Sequence, residues 1–307
     1  MRALLVGWFS WRESDTTAGD ELSCELVRAW LEEAGVVCDV ALVPPFAGGV
    51  ELREVNPTDY SHVVFVCGPF MQNHWEAELF HRFADCIFVG INVTLPTPLE
   101  EWNPFDLLIE RDSTRRTHPD LVFAAPRQLV PVVGRCLVEP YGEALVAEVN
   151  AAIARLLEGR EAAIVEIDTR RDVNFAGLRT SAEIESLVAR VDVLVTTRLH
   201  GLVLALRNNV PALAIDPEPG GGKILHQARA IAWPWVFCAD SLSPEALEQA
   251  LAECLSPTAR ARAGECARLA GVRVSASRDE LVRGIFATVP TARARQARTA
   301  LAQRHRP

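Results

Sequence analysis

Residues 191–215 read VDVLVTTRLHGLVLALRNNVPALAI, and this stretch decides the fold. The run 191–195 is apolar except for Asp192, as expected of a strand buried on both faces of a parallel sheet. Residues 197–208 have the apolar spacing of a helix, and 211–215 form a second apolar run. A strand, a helix and a strand in this order predict a right-handed βαβ unit in a parallel α/β sheet.

The same alternation continues in both directions along the chain. Further strands are predicted at 3–8, 36–42, 62–67, 86–89, 105–110, 132–138, 162–167 and 236–239. Helices are predicted at 75–84, 142–157 and 180–190, together with one opened by Gly19-Asp20 with Asp20 as the N-cap and one at Pro244 capped by Ser243. Prolines punctuate the stretch around 125–133. We therefore predict an N-terminal domain at 1–128, a C-terminal domain at 129–290 and a flexible basic tail at 291–307.

Composition excludes several classes of protein. The 307 residues carry a net charge of -9, which argues against general nucleic-acid binding. No apolar run is long enough to span a membrane, and residues 1–7 lack the features of a signal peptide, so we expect a cytoplasmic protein without stable membrane insertion. Eight cysteines without a CxxC pair are typical of buried reduced thiols, and the histidines show no metal-ligand spacing, so no metal site is expected.

The chemistry-bearing residues follow the strand at 191–195. Arg198 offers a planar fork for a phosphate or carboxylate, and His200 can exchange protons near neutral pH. Gly201 has no side chain, so a ligand can come close to the backbone there, at a helix start that already favours anions. The alternative is structural: Arg198 pairs with a local carboxylate and His200 is a packed capping residue.

A single lysine, Lys223, stands among 31 basic residues. It follows the strand at 211–215 through the sequence DPEPGGGK. The glycines 220–222 are expected to let this loop approach a phosphate closely, with a compact ammonium beside it. Chance survival of one lysine in an arginine-rich chain is the other interpretation.

The segment 192–211, with its Thr-x-Arg-Leu-His-Gly element, resembles the signature of the polysaccharide pyruvyl transferase family. The resemblance implies an α/β fold of two facing Rossmann-like domains (GT-B-like), with parallel sheets and an interdomain cleft. It implies that Arg198 and His200 line the phosphoenolpyruvate site and that Lys223 matches a lysine of the family pattern. No metal or organic cofactor is implied.

The N-terminal half matches the family more weakly. Gly19-Asp20 resembles an early Gly-Asp of the family, Arg111 opens an Arg-Asp-x-x-Ser-like element, and Arg135 matches a possible donor-site arginine. Asp20, as an acceptor-side base, and Trp11, as a sugar-stacking ring, are the acceptor-side candidates. For both residues a structural role, as a helix cap and in aromatic packing, is the alternative. Cys67-Gly68-Pro69 replaces the usual Gly-Gly pair, and the approach loop at 7–18 lacks the family's Gly-Asn start.

The resemblance implies transfer of a pyruvyl group from phosphoenolpyruvate to hydroxyls of a sugar or glycan acceptor, which forms a ketal. His200 and Arg198 are then the catalytic residues, and Arg198, Lys223, Gly201, Arg135 and Arg111 bind the donor. A glycosyltransferase that uses a nucleotide-sugar donor, or a non-catalytic binding protein, remains open. The cluster from Asp168 to Arg171 follows a strand, and it either faces the interdomain cleft or forms a solvated loop.

Overall fold

The structure, a computed structural model, describes residues 1–12, 15–72, 74–139 and 144–287, together with positions 296 and 298. Most of the predicted basic tail, and the predicted start of the helix at 142, therefore lie outside the described residues. The chain divides into two compact units, Met1–Gln128 (unit 1) and Leu129–Pro307 (unit 2). No helix in the described ranges is long and apolar enough to cross a membrane.

Unit 1 is a five-stranded parallel sheet with helices on both faces. Its elements in chain order are β1 Arg2–Val6, α1 Ala18–Glu33, β2 Val37–Val40, β3 His62–Val66, α2 His74–Arg82, β4 Ile87–Thr94 and β5 Leu107–Asp112. The strand order is β2-β1-β3-β4-β5, and every pairing is parallel. The chain order reverses between β1 and β3. In open α/β sheets, ligands bind beyond the carboxyl ends of the strands at such a switch point.

Unit 2 repeats this plan. Its elements are β6 Val132–Cys136, α3 Ala144–Leu157, β7 Ala163–Glu166, α4 Ser181–Val188, β8 Val193–Thr196, α5 Leu199–Arg207, β9 Ala212–Asp216, α6 Lys223–Ala230, β10 Val236–Cys238, α7 Pro244–Cys254 and α8 Pro257–Ala287. The parallel strand order is β10-β9-β8-β6-β7, so the switch point lies between β6 and β8. The predicted α/β class with parallel sheets is confirmed in both units.

In each unit, helices pack on both faces of the sheet through two layers of buried side chains, which gives a three-layer α/β/α arrangement. In unit 2, Leu202 of α5 and Ile224 of α6 pack on one face, while Val149 of α3 and Leu247 of α7 pack on the other. Strands β8 and β9 are buried along their whole length, which accounts for their apolar sequences up to the terminal Thr196 and Asp216. The sequence 191–215 is thus the centre of the unit 2 sheet together with its connecting helix.

The start of α1 differs from the prediction. The helix begins at Ala18, so Thr17 is the N-cap and Asp20 is the third helical residue. The Asp20 carboxylate accepts hydrogen bonds from the backbone N and the Oγ1 of Thr17, both at 2.8 Å. An acidic side chain at the third position that reaches back to the N-cap is half of a capping box. The prediction of Asp20 as the N-cap was therefore wrong by three residues, whereas Ser243 caps α7 as predicted, accepting from Ala246 N at 3.2 Å.

Strand β4 is longer than predicted because Gly90 does not end it. A Cβ at this position would lie 2.9 Å from the ring of Phe105, so the glycine admits an aromatic ring against the strand. All eight cysteines are free thiols, and six of them are buried. Within the described residues, no group of three or more His, Cys, Asp or Glu side chains is placed to hold a metal ion.

Candidate functional site

The junction between β8 and α5 is held by two buried threonines. Thr196 Oγ1 donates to Cys136 O at 2.8 Å and accepts from Arg198 N at 3.0 Å. Thr197 N donates to Cys136 O at 3.1 Å, and Thr197 Oγ1 accepts from Val138 N at 2.7 Å. These bonds tie the end of β8 to the end of β6. The residues that follow Thr197 are therefore placed at the switch point of unit 2.

Gly201 has a packing role that differs from the expected one. It is buried, and a Cβ here would lie 2.3 Å from Thr196 Oγ1 and 3.3 Å from Cys136 Sγ. No real Cβ approaches an oxygen that closely, so the glycine is needed to seat α5 against the end of β8. Donor binding at Gly201 stays a prediction from the resemblance.

Arg198 lies across the carboxyl end of the sheet. Its Nε donates to Leu137 O at 2.7 Å, and its Nη2 lies 3.7 Å from Asp168 Oδ1. The Arg198 side chain is 16% exposed and the Asp168 side chain 3% exposed. The guanidinium therefore reaches past the end of β6 towards the end of β7. Pairing with a local carboxylate, the structural alternative, is present, but at 3.7 Å this is an ion pair rather than a hydrogen bond.

His200 is exposed at the second position of α5. Within the described residues no hydrogen bond to its imidazole is formed, and no side chain caps the first turn of α5. His200 is therefore not a packed capping residue. An uncapped helix start carries unpaired amides and the positive end of the helix dipole, and here both lie beside an arginine and a histidine.

Unlike the uncapped start of α5, the start of α6 already binds a carboxylate of the chain itself. Asp216, at the end of β9 and 1% exposed, accepts three backbone hydrogen bonds through Oδ2. The donors are Gly222 N at 2.8 Å, Ile224 N at 3.0 Å and Leu225 N at 2.9 Å. Lys223 is the first residue of α6, and it is exposed.

The remaining glycine amides of this loop are also used within the chain. Gly220 N donates to Asp240 Oδ2 at 2.8 Å, and Gly221 N donates to Glu218 O at 2.9 Å. The backbone amides of residues 220–222 are therefore already used within the chain, and the close approach of this loop to a phosphate stays a prediction. The exposed ammonium of Lys223 is what this loop can offer to an anion.

The other two donor-side arginines are engaged in local ion pairs. Arg135 of β6 lies opposite Glu166 of β7 in the sheet register, and the two side chains form an ion pair at 2.5 Å. Arg111 of β5 pairs with Asp112 at 3.0 Å and with Asp120 at 2.8 Å. Donor binding by these two arginines stays a prediction from the resemblance.

Arg111 holds the loop after β5 in place. Its Nη2 also donates to Thr94 Oγ1 at 2.7 Å. Burial alone would lower the pKa of the guanidinium, but hydrogen bonds to Asp120 and Asp112 outweigh burial, and the pKa of Arg111 is raised. A guanidinium with three such partners is a structural tie within unit 1.

The two acceptor-side candidates have different surroundings. Asp20 is 6% exposed, and its carboxylate is committed to the capping box of α1. Trp11 is half-buried and packs on Trp75 with ring centroids 4.3 Å apart. Trp8, Trp11 and Trp75 line one cavity of about 440 Å³, which we call the aromatic pocket. Trp102, a further tryptophan of unit 1, stacks on Phe70 and does not line this cavity.

Sequence reasoning missed the part played by two carboxylates. Asp216 is the last residue of β9, Asp168 lies two residues beyond the end of β7, and both are buried. An acidic residue at or just past the end of an apolar strand was the available signal. Which cation or helix start each carboxylate contacts depends on loop conformation, which sequence spacing does not specify.

Comparison with known proteins confirms the resemblance over part of the chain. The family model described as "Polysaccharide pyruvyl transferase" matches residues 137–219. This segment runs from the end of β6 to the loop before α6 and includes Asp168, Arg198, His200 and Gly201. It covers well under half of the chain, and Lys223, Arg135 and Arg111 lie outside it. None of the curated proteins compared with the chain matches it.

Several solved structures are similar along most of the chain. A calicheamicin glycosyltransferase has 13% identity and a TM-score of 0.36, covering 94% of this chain and 99% of its own. The spinosyn forosaminyltransferase has 13% identity and a TM-score of 0.34, with coverages of 86% and 93%. A UDP-GlcNAc 2-epimerase from Methanocaldococcus jannaschii has 9% identity and a TM-score of 0.31, with coverages of 89% and 99%.

Proposed function

We propose that the chain transfers a pyruvyl group from phosphoenolpyruvate to hydroxyls of a sugar or glycan acceptor and forms a ketal. The observation that carries this proposal is the β8–α5 junction. There, a partly exposed arginine and an exposed histidine flank an uncapped helix start at the switch point of unit 2, inside the segment matched by the pyruvyl transferase family model. An anionic donor fits such a site because helix amides, the helix dipole and a guanidinium act together.

Anion recognition is divided between two neighbouring strand ends. Arg198 follows β8, and Lys223 follows β9, which pairs directly with β8. The Nε of Arg198 is held by Leu137 O and its Nη2 lies 3.7 Å from Asp168 Oδ1, beyond hydrogen-bond distance, so the Nη groups can still donate hydrogen bonds to the donor. Phosphoenolpyruvate carries a phosphate and a carboxylate, so two cations of different shape suit its two anionic ends.

In the chemical step, His200 acts as the general acid. It donates a proton to the methylene carbon C3 of phosphoenolpyruvate, and the electron pair of the enol double bond forms the new C–H bond. The resulting oxocarbenium at C2 is attacked by an acceptor hydroxyl, which gives up its proton. The C2–O bond to phosphate then breaks and inorganic phosphate leaves with its electron pair.

Attack at C2 by a second hydroxyl closes the ketal. One hydroxyl proton replaces the proton that the imidazole gave to C3, and the other leaves with phosphate, so the enzyme returns to its starting state. Arg198 and Lys223 stabilise the negative charge that builds on the departing phosphate.

The experiment that tests this function compares His200→Ala with wild type. Phosphate release from phosphoenolpyruvate is followed in the presence of a panel of methyl pyranosides, and donor binding is measured by calorimetry. A general acid contributes roughly 10²- to 10⁴-fold in rate, so turnover should fall by that factor while donor affinity changes little. His118→Ala, an exposed histidine of unit 1, is the matched control. Wild-type turnover in His200→Ala would remove the proposed role.

A further inference from the structure

The aromatic pocket occupies a functional position in unit 1. Its walls come from residues 8–12 after β1, from residues 51–53 after β2, and from helix α2, which follows β3. The chain order of this sheet reverses between β1 and β3. The pocket therefore lies at the carboxyl edge beside the switch point, where open α/β sheets bind ligands. Its volume of about 440 Å³ is in the range of small-molecule sites.

The tryptophans of the pocket form a braced platform. Trp75 packs on Phe65 at 6.3 Å and on Phe70 at 6.2 Å between ring centroids, and Phe65 and Phe70 are fully buried. Trp8 and Trp11 pack on Trp75 in turn, at 5.9 and 4.3 Å. The three indoles remain partly exposed. Partly exposed aromatic rings held from behind by a core offer a fixed apolar surface to a ligand.

The rim of the pocket carries both signs of charge. Glu51 and Glu78 can accept hydrogen bonds, while Arg12, Arg53 and His74 can donate them. All five side chains are exposed. A pocket for a simple anion would concentrate cations, whereas mixed donors and acceptors suit a neutral ligand rich in hydroxyl groups.

One arginine fixes the loop that forms a wall. Arg82 donates to Leu52 O at 2.6 Å, to Arg53 O at 2.9 Å and to Val55 O at 2.5 Å. These bonds attach residues 52–55 to α2. The rim residue Arg53 is thereby presented from a fixed backbone, which lowers the ordering cost of binding.

We propose that the aromatic pocket binds one pyranose ring of the acceptor, with the C–H face of the sugar on Trp11 and Trp75 and its hydroxyls bonded to the charged rim. This inference rests on the proposed function for the identity of the ligand as an acceptor. A pyranose has one apolar face and a perimeter of hydroxyls, and the platform and rim match these two parts separately.

The test uses saturation-transfer NMR with methyl β-glucopyranoside and methyl β-galactopyranoside as probes. Glycerol serves as a polyol without a ring, and uridine monophosphate as a stacking ligand of another class. The pyranoside ring protons should receive saturation from the wild-type chain, and glycerol should not. Trp11→Ala should weaken this binding about fivefold. Glu78→Gln, a rim change at an exposed position, should weaken it by a similar factor without a change in circular dichroism.

Two controls match these variants in residue type. Trp30→Ala changes a tryptophan of α1 that is 43% exposed, and Glu101→Gln changes an exposed glutamate, both outside the pocket. Both should bind the pyranosides as wild type does. If Trp11→Ala does not fold, Glu78→Gln decides the matter.

Three results would overturn the inference. They are the absence of pyranoside binding, binding that ignores both pocket variants, and binding of uridine monophosphate in place of the pyranosides. Calorimetry with phosphoenolpyruvate separates this failure from failure of the proposed function. Donor binding without pyranoside binding refutes the pocket alone, and pyranoside binding without donor binding refutes the donor assignment alone.

Discussion

Replacing Asp216 with asparagine should destabilise unit 2, because one carboxylate oxygen supports the whole first turn of α6. Asp216 Oδ2 accepts from the amides of Gly222, Ile224 and Leu225 at 2.8–3.0 Å, and the residue is 1% exposed. Asparagine keeps the shape and one acceptor oxygen but removes the negative charge at the positive end of the helix.

The size of the effect follows from the number of bonds. A hydrogen bond to a charged group contributes about 1.5–3 kcal/mol, and a neutral one about 1 kcal/mol. The loss of charge assistance in three bonds is partly offset, because burying a neutral amide costs less than burying a carboxylate. The net loss in free energy of unfolding is therefore roughly 2–4 kcal/mol. Asp240→Asn is the control. Its single bond to Gly220 N lies at an exposed position, so its cost should stay below about 1 kcal/mol.

Urea unfolding monitored by circular dichroism measures both free energies of unfolding. A loss in Asp216→Asn clearly larger than that in Asp240→Asn is expected. Equal stability of Asp216→Asn and wild type would show that the carboxylate does not support the helix start.

Three further predictions concern other contacts. Glu110 is fully buried against Arg115, and its pKa is lowered from 4.5 to about 2, first by hydrogen bonds from Arg115. The stabilisation from this ion pair is therefore present above about pH 4.5 and is lost as pH falls towards about 2. In urea unfolding at about pH 5 and pH 3, Glu110→Gln should lose less free energy of unfolding on acidification than wild type, and equal losses would contradict this. Gly201→Ala should lower the free energy of unfolding by about 1–2 kcal/mol, since the new Cβ would lie 2.3 Å from the Thr196 hydroxyl. The control Gly271→Ala in α8 has open space around it and should be neutral or stabilising. The same cost in both variants would remove the packing argument. Lys223→Arg should weaken phosphoenolpyruvate binding in calorimetry, because a planar fork replaces a compact ammonium, and unchanged affinity would mean that the single lysine is accidental.

Much of the fold was predictable because the buried strands of a parallel sheet have apolar sequences that stand out along the chain. Strands β8 and β9 are buried throughout, so no alternation with polar residues blurs them. The errors lie at element ends. Asp20 is as good an N-cap as Thr17 by residue type, and their cooperation in one capping box, three residues apart, decides the start of α1.

The site was predictable to the level of residue type and strand end, and no further. Arg198 and His200 lie after a strand at the switch point because topology places them there. The occupation of the α6 start by Asp216 depends on a loop that folds back over six residues. Glycine-rich sequence alone is compatible with a phosphate or with an internal carboxylate as the partner of those amides.

Calorimetric titration of the full chain with phosphoenolpyruvate, beside a UDP-sugar, tests most directly whether the β8–α5 junction is the donor site. Phosphoenolpyruvate should bind to wild type. Arg198→Lys should weaken that binding at least about tenfold, because a single ammonium cannot both bond Leu137 O, as Nε does, and donate from two Nη groups to the ligand. The UDP-sugar should give no heat of binding. Binding of the UDP-sugar without phosphoenolpyruvate, or equal affinity of Arg198→Lys and wild type, would contradict pyruvyl transfer at this site.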